Sequence, residues 1–173
     1  MLPLFLLDKM NSILFDTPFG RAALVYHHRQ IARILLPTPD LQVLQAELFP
    51  YAPNRPGRHP GVITDLAHRI QAYLNGNPAR LPLELLEFSR CTPFKEQVLR
   101  VEYTIPYGQV RTYKWVAEQL EKPRAARAVG NALARNPFPL VIPCHRCIRS
   151  NGTLGGFQRP GLKEKLLKLE GAI

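Results

Sequence analysis

The sequence predicts two domains, an α/β domain with a small antiparallel sheet followed by a mostly α-helical domain. Three short apolar segments between residues 12 and 37 have strand spacing, whereas apolar residues after residue 92 recur at helical spacing. The charge changes at the same place: residues 1–88 carry eight Lys/Arg and seven Asp/Glu, and residues 89–173 carry fifteen and six. We therefore assign residues 1–88 to the first domain and residues 89–173 to the second.

The composition is that of a globular protein with a substantial core. Of the 173 residues 46% are apolar, and no apolar run approaches the roughly 18 residues of a membrane span. The apolar stretch after Met1 is short and has no basic residue before it, so we expect neither a secretory signal nor a membrane partner. Three cysteines, an odd number, favour a reducing compartment. We therefore expect an intracellular protein.

The first half combines strand patterns with proline-rich connections. Residues 12–15, 22–26 and 30–36 are separated by turn residues at a spacing that predicts two antiparallel hairpins. Prolines at 37, 39, 50, 53, 56 and 60 predict an irregular connection with a short helix at residues 40–49. Thr64 or Asp65 is expected to cap a helix that ends at Tyr73, and residues 81–85 are expected to be extended.

The second half begins with a strong helix signal. Thr92 can cap a helix that has Pro93 at its first position, and an apolar stripe follows at helical spacing. The residues of that stripe are Phe94, Val98, Val101 and Ile105. A turn at residues 106–108 ends the helix, and a last helix is expected at residues 161–169.

Two short helices follow the first one in the basic half. Thr112 is expected to cap the helix at residues 113–120, and Pro123 is expected to begin another that runs to about Arg135. Two helices joined by a tight turn predict a helix-turn-helix, although any αα-hairpin has the same pattern. The exposed side of the later helix is expected to carry Arg124, Arg127, Asn131 and Arg135. This charge favours a polyanion partner, and a basic protein with a solvated surface is the alternative.

The residues that bear chemistry are Pro143-Cys144-His145-Arg146. They follow an apolar run at residues 139–142 and precede a glycine-rich segment at residues 149–156. A thiol beside an imidazole is the minimal set for a nucleophile with its base. Neighbours in an extended segment point in opposite directions, so His145 would need a turn or a water to reach the thiol. Glu170 is the candidate acid that orients the ring. The alternative makes Cys144 a small buried hydrophobe and His145 a surface residue.

Cys144 and Cys147 also form a C-x-x-C motif, which is typical of zinc sites and of redox proteins. A zinc site needs four ligands, and only Cys91 and scattered histidines remain to complete it. A thioredoxin-like motif requires the pair at a helix start within a βαβ unit, whereas a glycine-rich loop follows here. Both interpretations therefore rank below the nucleophile.

Four separated motifs resemble one known family. They are residues 127–130 (Arg-Ala-Val-Gly), 136–139 (Asn-Pro-Phe-Pro), 143–146 (Pro-Cys-His-Arg) and 155–157 (Gly-Gly-Phe). Together they resemble the O6-alkylguanine-DNA alkyltransferases, the methylated-DNA–protein-cysteine methyltransferases, over about residues 92–171. The resemblance implies a ribonuclease H-like N-terminal domain in a supporting role. It also implies a winged helix-turn-helix-like C-terminal domain for DNA binding and alkyl transfer.

The resemblance implies a reaction and the residues that carry it out. Cys144 looks like the acceptor of the alkyl group on guanine O6, in a single-turnover, irreversible methyltransferase reaction without a cofactor or metal. His145 resembles the base that acts through a water, Glu170 the acid that orients it, and Asn136 the residue that holds the adjacent bend. An ordinary helix-ending asparagine would be compatible with that last role.

The resemblance also implies how DNA is bound. The partner would be double-stranded DNA containing O6-alkylguanine, bound by a monomer through the minor groove, with the base flipped out of the helix. Arg127 resembles the residue that fills the vacated space; the alternative is a solvated helix arginine or a phosphate contact. Tyr113 resembles the residue that crowds the 3′ phosphate, or else a core aromatic. Lys114 and Ser150 resemble positions near the DNA backbone. The pocket would be lined by Pro139, Cys147, Phe157 and Gln158.

Two positions depart from the family pattern. Cys147 replaces the usual valine, so a disulfide with Cys144 could block repair until a reductant reopens it. Phe157 replaces the usual tyrosine, which keeps the stacking face, loses a hydroxyl and predicts weaker base binding. The rival functions are a non-catalytic DNA-binding module of the same fold and a thiol–disulfide oxidoreductase. The cysteine at position 144 favours catalysis.

Overall fold

The computed structural model describes residues 10–51, 59–159 and 161–173, and it divides the chain into two units, Met1–Glu87 and Phe88–Ile173. Each unit has its own set of buried apolar side chains. The apolar stretch at the N-terminus and the prolines at 53 and 56 lie outside the described residues. Within those residues, no helix is both long enough and apolar enough to cross a membrane.

A three-stranded antiparallel sheet in the order β1-β2-β3 forms the centre of the first unit. Its strands are β1 at Asn11–Thr17, β2 at Gly20–His27 and β3 at Gln30–Thr38. Leu24 in the central strand pairs with Ile13 on one side and Ile34 on the other, so both predicted hairpins are confirmed. The first turn requires Gly20, which has a φ of +108° and where an added Cβ would lie 2.3 Å from the Thr38 carbonyl carbon.

Two helices pack against this sheet. They are α1 at Leu41–Leu48 and α2 at Gly61–Leu74. Helix α1 begins where predicted, because the Asp40 carboxylate accepts hydrogen bonds from the next helical amides at 2.9 and 3.3 Å. Leu44 and Leu48 of α1 share an apolar cluster with Ala23 and Val25 of β2. Helix α2 packs against β1 and β2.

Two predictions for the first unit are wrong. Helix α2 begins at Gly61, without a side-chain cap, and Asp65 instead forms an ion pair with Arg69 one turn later at 2.7 Å. Residues 81–85, predicted to be extended, contain a 3₁₀ turn. The buried residues there are Leu81 and Leu86, five positions apart, and a strand would point them to opposite faces.

The second unit is mostly helical. Its elements are α3 at Pro93–Tyr103, β4 at Arg111–Thr112, α4 at Tyr113–Gln119, α5 at Ala126–Ala134, β5 at Cys147–Ile148 and α6 at Leu162–Leu169. Helices α3, α4 and α5 pack against one another, and β4 pairs with β5 in parallel. Both predicted caps are confirmed: the hydroxyl of Thr92 accepts from the Lys95 amide at 3.3 Å, and that of Thr112 accepts from the Trp115 amide at 3.0 Å.

Two details of these helices differ from the prediction. The helix expected from Pro123 begins with a 3₁₀ turn, and α5 itself begins at Ala126. In α3 the predicted stripe is only partly buried, since Phe94 and Val101 are half-buried. The buried side of α3 instead includes Glu102, whose carboxyl group interacts with the positive charges of Lys163 and Arg146.

Replacing Thr112 by alanine should lower the free energy of unfolding by about 1 kcal/mol, because the first turn of α4 loses its side-chain acceptor. Thr112→Ser keeps the oxygen and serves as the control. Chemical denaturation of the three proteins measures the difference. Equal losses in the alanine and serine variants would show that the cap does not stabilise the helix.

Candidate active site

The segment after α5 bends back on itself and brings Cys144 into the core. The side chain of Asn136 holds the bend, because its Oδ1 accepts from the Phe138 amide at 2.9 Å and its Nδ2 donates to the Ile142 carbonyl at 3.1 Å. The bend is tight enough that Leu140 has a φ of +75°, which is rare for a residue with a side chain. The same Nδ2 lies 3.2 Å from Sγ of Cys144, so one amide links the bend to the thiol.

Cys144 is a protonated thiol in the resting protein. It begins a 3₁₀ turn, Cys144–Arg146, and is 4% exposed. Burial raises the pKa of this thiol to about 12, and the hydrogen bond from Asn136 lowers it only in part. Because the thiolate is the nucleophilic form of cysteine, the site requires a base before Cys144 can attack.

The buried carboxylate of Glu170, at the end of α6, forms hydrogen bonds with two neighbouring basic side chains. His145 is fully buried, and its Nε2 lies 2.8 Å from Oε1 of Glu170. Arg146 donates to the same carboxylate from Nε at 2.9 Å and from Nη2 at 2.8 Å. Its Nη1 donates to the Ile105 carbonyl at 2.6 Å, and the Gly108 amide donates to Oε2 of Glu170 at 3.2 Å. Such bidentate arginine–carboxylate pairs form stronger hydrogen bonds than neutral groups do.

These contacts determine which nitrogen of His145 carries the proton. Arg146 and the Gly108 amide donate to both oxygens of Glu170, so these oxygens act as hydrogen-bond acceptors toward the ring as well. The Nε2 of His145 therefore carries the hydrogen, and Nδ1 is the nitrogen that can take up a proton. Burial lowers the pKa of the ring, and the bond with Glu170 raises it only in part. The imidazole is consequently neutral at neutral pH and can act as a base.

A second set of buried ionisable groups adjoins the two cysteines. Lys163 of α6 is 3% exposed, and its Nζ donates to the Cys147 carbonyl at 2.5 Å. The same Nζ lies 5.8 Å from the ring centroid of Tyr113. Burial lowers the pKa of Lys163, and it raises the pKa of Tyr113 to about 12. Glu102 of α3 is fully buried, and the positive charge of Lys163 favours its ionised form.

The residues that the resemblance assigns to DNA contact differ in their exposure. Arg127 on α5, Lys114 on α4 and Ser150 are exposed. The other polar residues predicted on that side are exposed as well: Asn131 lies within α5, Arg124 in the 3₁₀ turn before it, and Arg135 directly after its last residue. Tyr113 is half-buried, and an added Cβ at Gly155 would lie 2.9 Å from its hydroxyl oxygen. The glycine-rich loop can approach the tyrosine this closely only because Gly155 has no side chain.

The residues assigned to the pocket come from three places: Pro139 from the bend, Cys147 from β5, and Phe157 and Gln158 from the stretch directly after the glycine-rich segment. Pro139 and Cys147 are buried, whereas Phe157 and Gln158 are half-buried. The side-chain amide of Gln158 donates to the Asn136 carbonyl at 2.8 Å, which ties the loop to the bend that holds Cys144.

The alternatives drawn from Cys144 and Cys147 fit the geometry poorly. Both are free thiols, and the 3₁₀ turn that separates them leads into β5 rather than into a helix. In the part of the chain that the structure describes, no three His, Cys, Asp or Glu side chains gather as a metal site would require. The interpretation of His145 as a surface residue is wrong, because the ring is fully buried.

Three residues of this region were not predicted as functional. Arg146 belongs to the Pro-Cys-His-Arg motif but received no role of its own. Glu102 lies four residues after Val98 and three before Ile105, and a charge at that helical spacing is a usable signal of a buried ionisable group. Lys163 gives the same signal, since it precedes the buried Leu166 and Leu167 by three and four residues.

Comparison with known proteins gives consistent matches. The family model of the 6-O-methylguanine DNA methyltransferase DNA-binding domain matches residues 93–172. A methylated-DNA–protein-cysteine methyltransferase of Mycobacterium leprae is 41% identical over 158 residues, 90% of this chain and 87% of that protein. One from Methanothermobacter thermautotrophicus is 45% identical over 113 residues, 65% of this chain and 63% of that protein, which is less than two thirds of its length. The Mycobacterium tuberculosis OGT solved in complex with DNA has a TM-score of 0.73 at 30% identity, covering 94% of this chain and 93% of that one.

Replacing Asn136 by alanine should slow alkylation of Cys144 by iodoacetamide about tenfold at a fixed pH, because a hydrogen bond that favours the thiolate is lost. The free energy of unfolding should fall by about 1–3 kcal/mol, since buried backbone groups lose their partners. Peptide-resolved mass spectrometry separates Cys144 from the other two cysteines. The matched control is Asn151→Ala in an exposed turn, where Asn151 bonds only to Thr153 in the described contacts. An Asn136→Ala rate equal to that of this control would exclude the assigned role.

Proposed function

The chain belongs to the methylated-DNA–protein-cysteine methyltransferase family, and on this premise we propose that it repairs duplex DNA by moving the alkyl group of O6-alkylguanine to Cys144. One observation carries the proposal. A buried thiol, fixed by Asn136, lies one residue from a buried neutral imidazole that a carboxylate orients. These are the parts of an activated cysteine nucleophile.

The chemistry follows from the protonation states. Nδ1 of His145, through a water, takes the proton from the Cys144 thiol. The thiolate attacks the alkyl carbon, a carbon–sulfur bond forms as the carbon–oxygen bond breaks, and the electron pair stays on guanine O6. The guanine then takes up a proton, so the net result is transfer of the cysteine proton to the guanine, and His145 returns to its neutral form. The product is a thioether, which has no good leaving group, and each molecule therefore reacts once. The thiolate is both catalyst and acceptor, and this scheme uses no cofactor.

The proposed reaction also requires that the protein bind DNA and expose the damaged base. A base inside a duplex must be extruded before Cys144 can reach its O6 substituent. The exposed position of Arg127 on a helix of small side chains supports its insertion into the vacated stack from the minor groove. Exposed Lys114 and Ser150 would contact the phosphate backbone, and Tyr113 would crowd the phosphate of the flipped nucleotide. The basic second half would supply most of the affinity.

The substrate base would lie between the bend and the glycine-rich loop. Pro139 and Phe157 would contact the flat faces of the guanine, with Cys147 and Gln158 at its edges. The bond from Gln158 to the Asn136 carbonyl supports this, because it couples the loop to the acceptor cysteine.

The same assignment extends to the roles of the two units, the oligomeric state and the cellular location. The first unit would be a ribonuclease H-like support and the second a winged helix-turn-helix-like DNA-binding and alkyl-transfer domain, with the division at residues 88/89. Because one chain carries the acceptor, the base and the basic helix, a monomer would suffice for repair. The protein would work where the DNA is, in the cytoplasm of a prokaryote or the nucleus of a eukaryote.

Incubation with a duplex oligonucleotide containing one O6-methylguanine should place one methyl group on each protein molecule, and no more. Because this methyl replaces the thiol hydrogen, the intact mass should rise by the mass of one CH2. The Cys144→Ala variant should gain nothing, because the acceptor sulfur is gone, whereas Cys147→Ala should still be methylated. Intact-mass spectrometry with excess DNA measures the stoichiometry.

The rival functions give different results in the same assay. A non-catalytic DNA-binding module would bind the oligonucleotide without any change in mass. A thiol–disulfide oxidoreductase would ignore the alkylated DNA and would turn over repeatedly with a dithiol. Either result would contradict the proposal.

A further inference from the structure

Glu102 is a buried acid that the proposed reaction leaves without a task. It lies on α3, is 0% exposed, and neither carboxyl oxygen has a hydrogen-bond partner among the described residues. Its neighbours on the buried side of the helix, Val98 and Leu99, are apolar, so packing alone would be served by an apolar side chain. A carboxyl group buried in such a place without hydrogen bonds is unfavourable, so packing does not account for the acid at this position.

The charged groups around Glu102 belong to the candidate active site. Lys163 from α6 and Arg146 from the 3₁₀ turn both favour its ionised form, but burial outweighs them and raises its pKa to about 8. In return, an ionised Glu102 disfavours ionisation of the acidic groups around it: it raises the pKa of Cys144, Cys147 and the Tyr113 hydroxyl.

We propose that Glu102 is a positioning residue that governs how readily Cys144 loses its proton. The neutral carboxyl permits the thiolate to form, and the carboxylate opposes it. Two effects of an ionised Glu102 oppose the thiolate. Its carboxylate places a like charge near the thiolate, and it also partly neutralises the positive charge of Lys163, which otherwise favours the thiolate. Glu102 thereby keeps the acceptor cysteine from becoming a free thiolate in alkaline conditions.

The sign of the pH dependence distinguishes this role from a structural one. Below a pH of about 8 Glu102 is neutral, so a variant without the acid should react like the natural protein. Above this pH Glu102 ionises, and the reactivity of Cys144 should rise less steeply with pH than it does when the carboxyl group is absent. A loss of packing would change the rates at all pH values by a similar factor.

The experiment compares alkylation of Cys144 by iodoacetamide across pH in the natural protein and in Glu102→Gln, with Cys91 and Cys147 resolved by peptide mass spectrometry. Glu102→Leu is the second variant, because it needs no hydrogen-bond partner. The control is Glu164→Gln, an exposed acid on α6 that pairs with Lys168. About two pH units below the pKa of Glu102 all four proteins should react alike. About two units above it the two Glu102 variants should react on the order of tenfold faster.

The same pH series is then run with the methylated duplex as the alkyl donor. The inference concerns the cysteine of the proposed function, but the iodoacetamide rates test it independently of DNA. If the iodoacetamide rates of the Glu102 variants exceed that of the natural protein at alkaline pH, but no protein accepts a methyl group from DNA, the inference is upheld and the proposed function is contradicted. Coincident profiles for the natural protein and both Glu102 variants would overturn the inference, whatever the DNA reaction shows.

Stability supplies an independent measurement. The folded protein keeps the Glu102 proton up to about pH 8, whereas an ordinary carboxyl releases it near 4.5. Because the folded state binds more protons in that range, Glu102 lowers stability progressively as the pH rises through it. The stability of Glu102→Gln relative to the natural protein should therefore increase between these two pH values and then level off. A difference that stays constant over the range would show that the acid titrates normally and would overturn the inference.

Discussion

The carboxylate of Glu170 is the interaction on which the rest of the site depends. It receives His145 and Arg146 from the 3₁₀ turn and the Gly108 amide from the turn after α3, so three separate segments meet at one buried charge. A buried charge is stable only when it is paired and hydrogen-bonded, and loss of one partner from such a pair destabilises a protein by about 3–5 kcal/mol. The same contacts that hold the turn in place therefore also set the protonation state of the histidine.

The burial of Cys144 is consistent with a protein that reacts once. A thiol with a raised pKa reacts slowly with stray electrophiles and oxidants, since the thiolate is the form that reacts with both. An exposed thiolate would be consumed before it met a lesion. In the proposed reaction, this arrangement would keep the acceptor protonated at rest and leave its deprotonation to the neighbouring imidazole. Asn136 is the side chain that joins these requirements, because it fixes the bend and favours the thiolate with the same amide.

Local signals in the sequence were sufficient for much of the fold and for part of the site. Thr92 and Thr112 begin helices because their hydroxyls bond to nearby amides, and such contacts depend only on neighbouring residues. The start of α2 at Gly61 could not be predicted, because Pro60 offers no side-chain cap. The helical spacing of Glu102 and Lys163 signals their burial, but the charged groups that each one meets could not be predicted, since those contacts join segments that are distant in sequence.

The central claim is that Glu170 holds His145 as a neutral base with its proton on Nε2. Nitrogen-15 NMR of the histidine rings at neutral pH measures this state directly, with His145→Gln used to assign the signal. The account predicts a protonated Nε2 and an unprotonated Nδ1 in the protein before it reacts with DNA. A ring protonated on both nitrogens, or a neutral ring with its hydrogen on Nδ1, would contradict it, because neither form has a nitrogen at the Nδ1 position that can accept the proton of the cysteine.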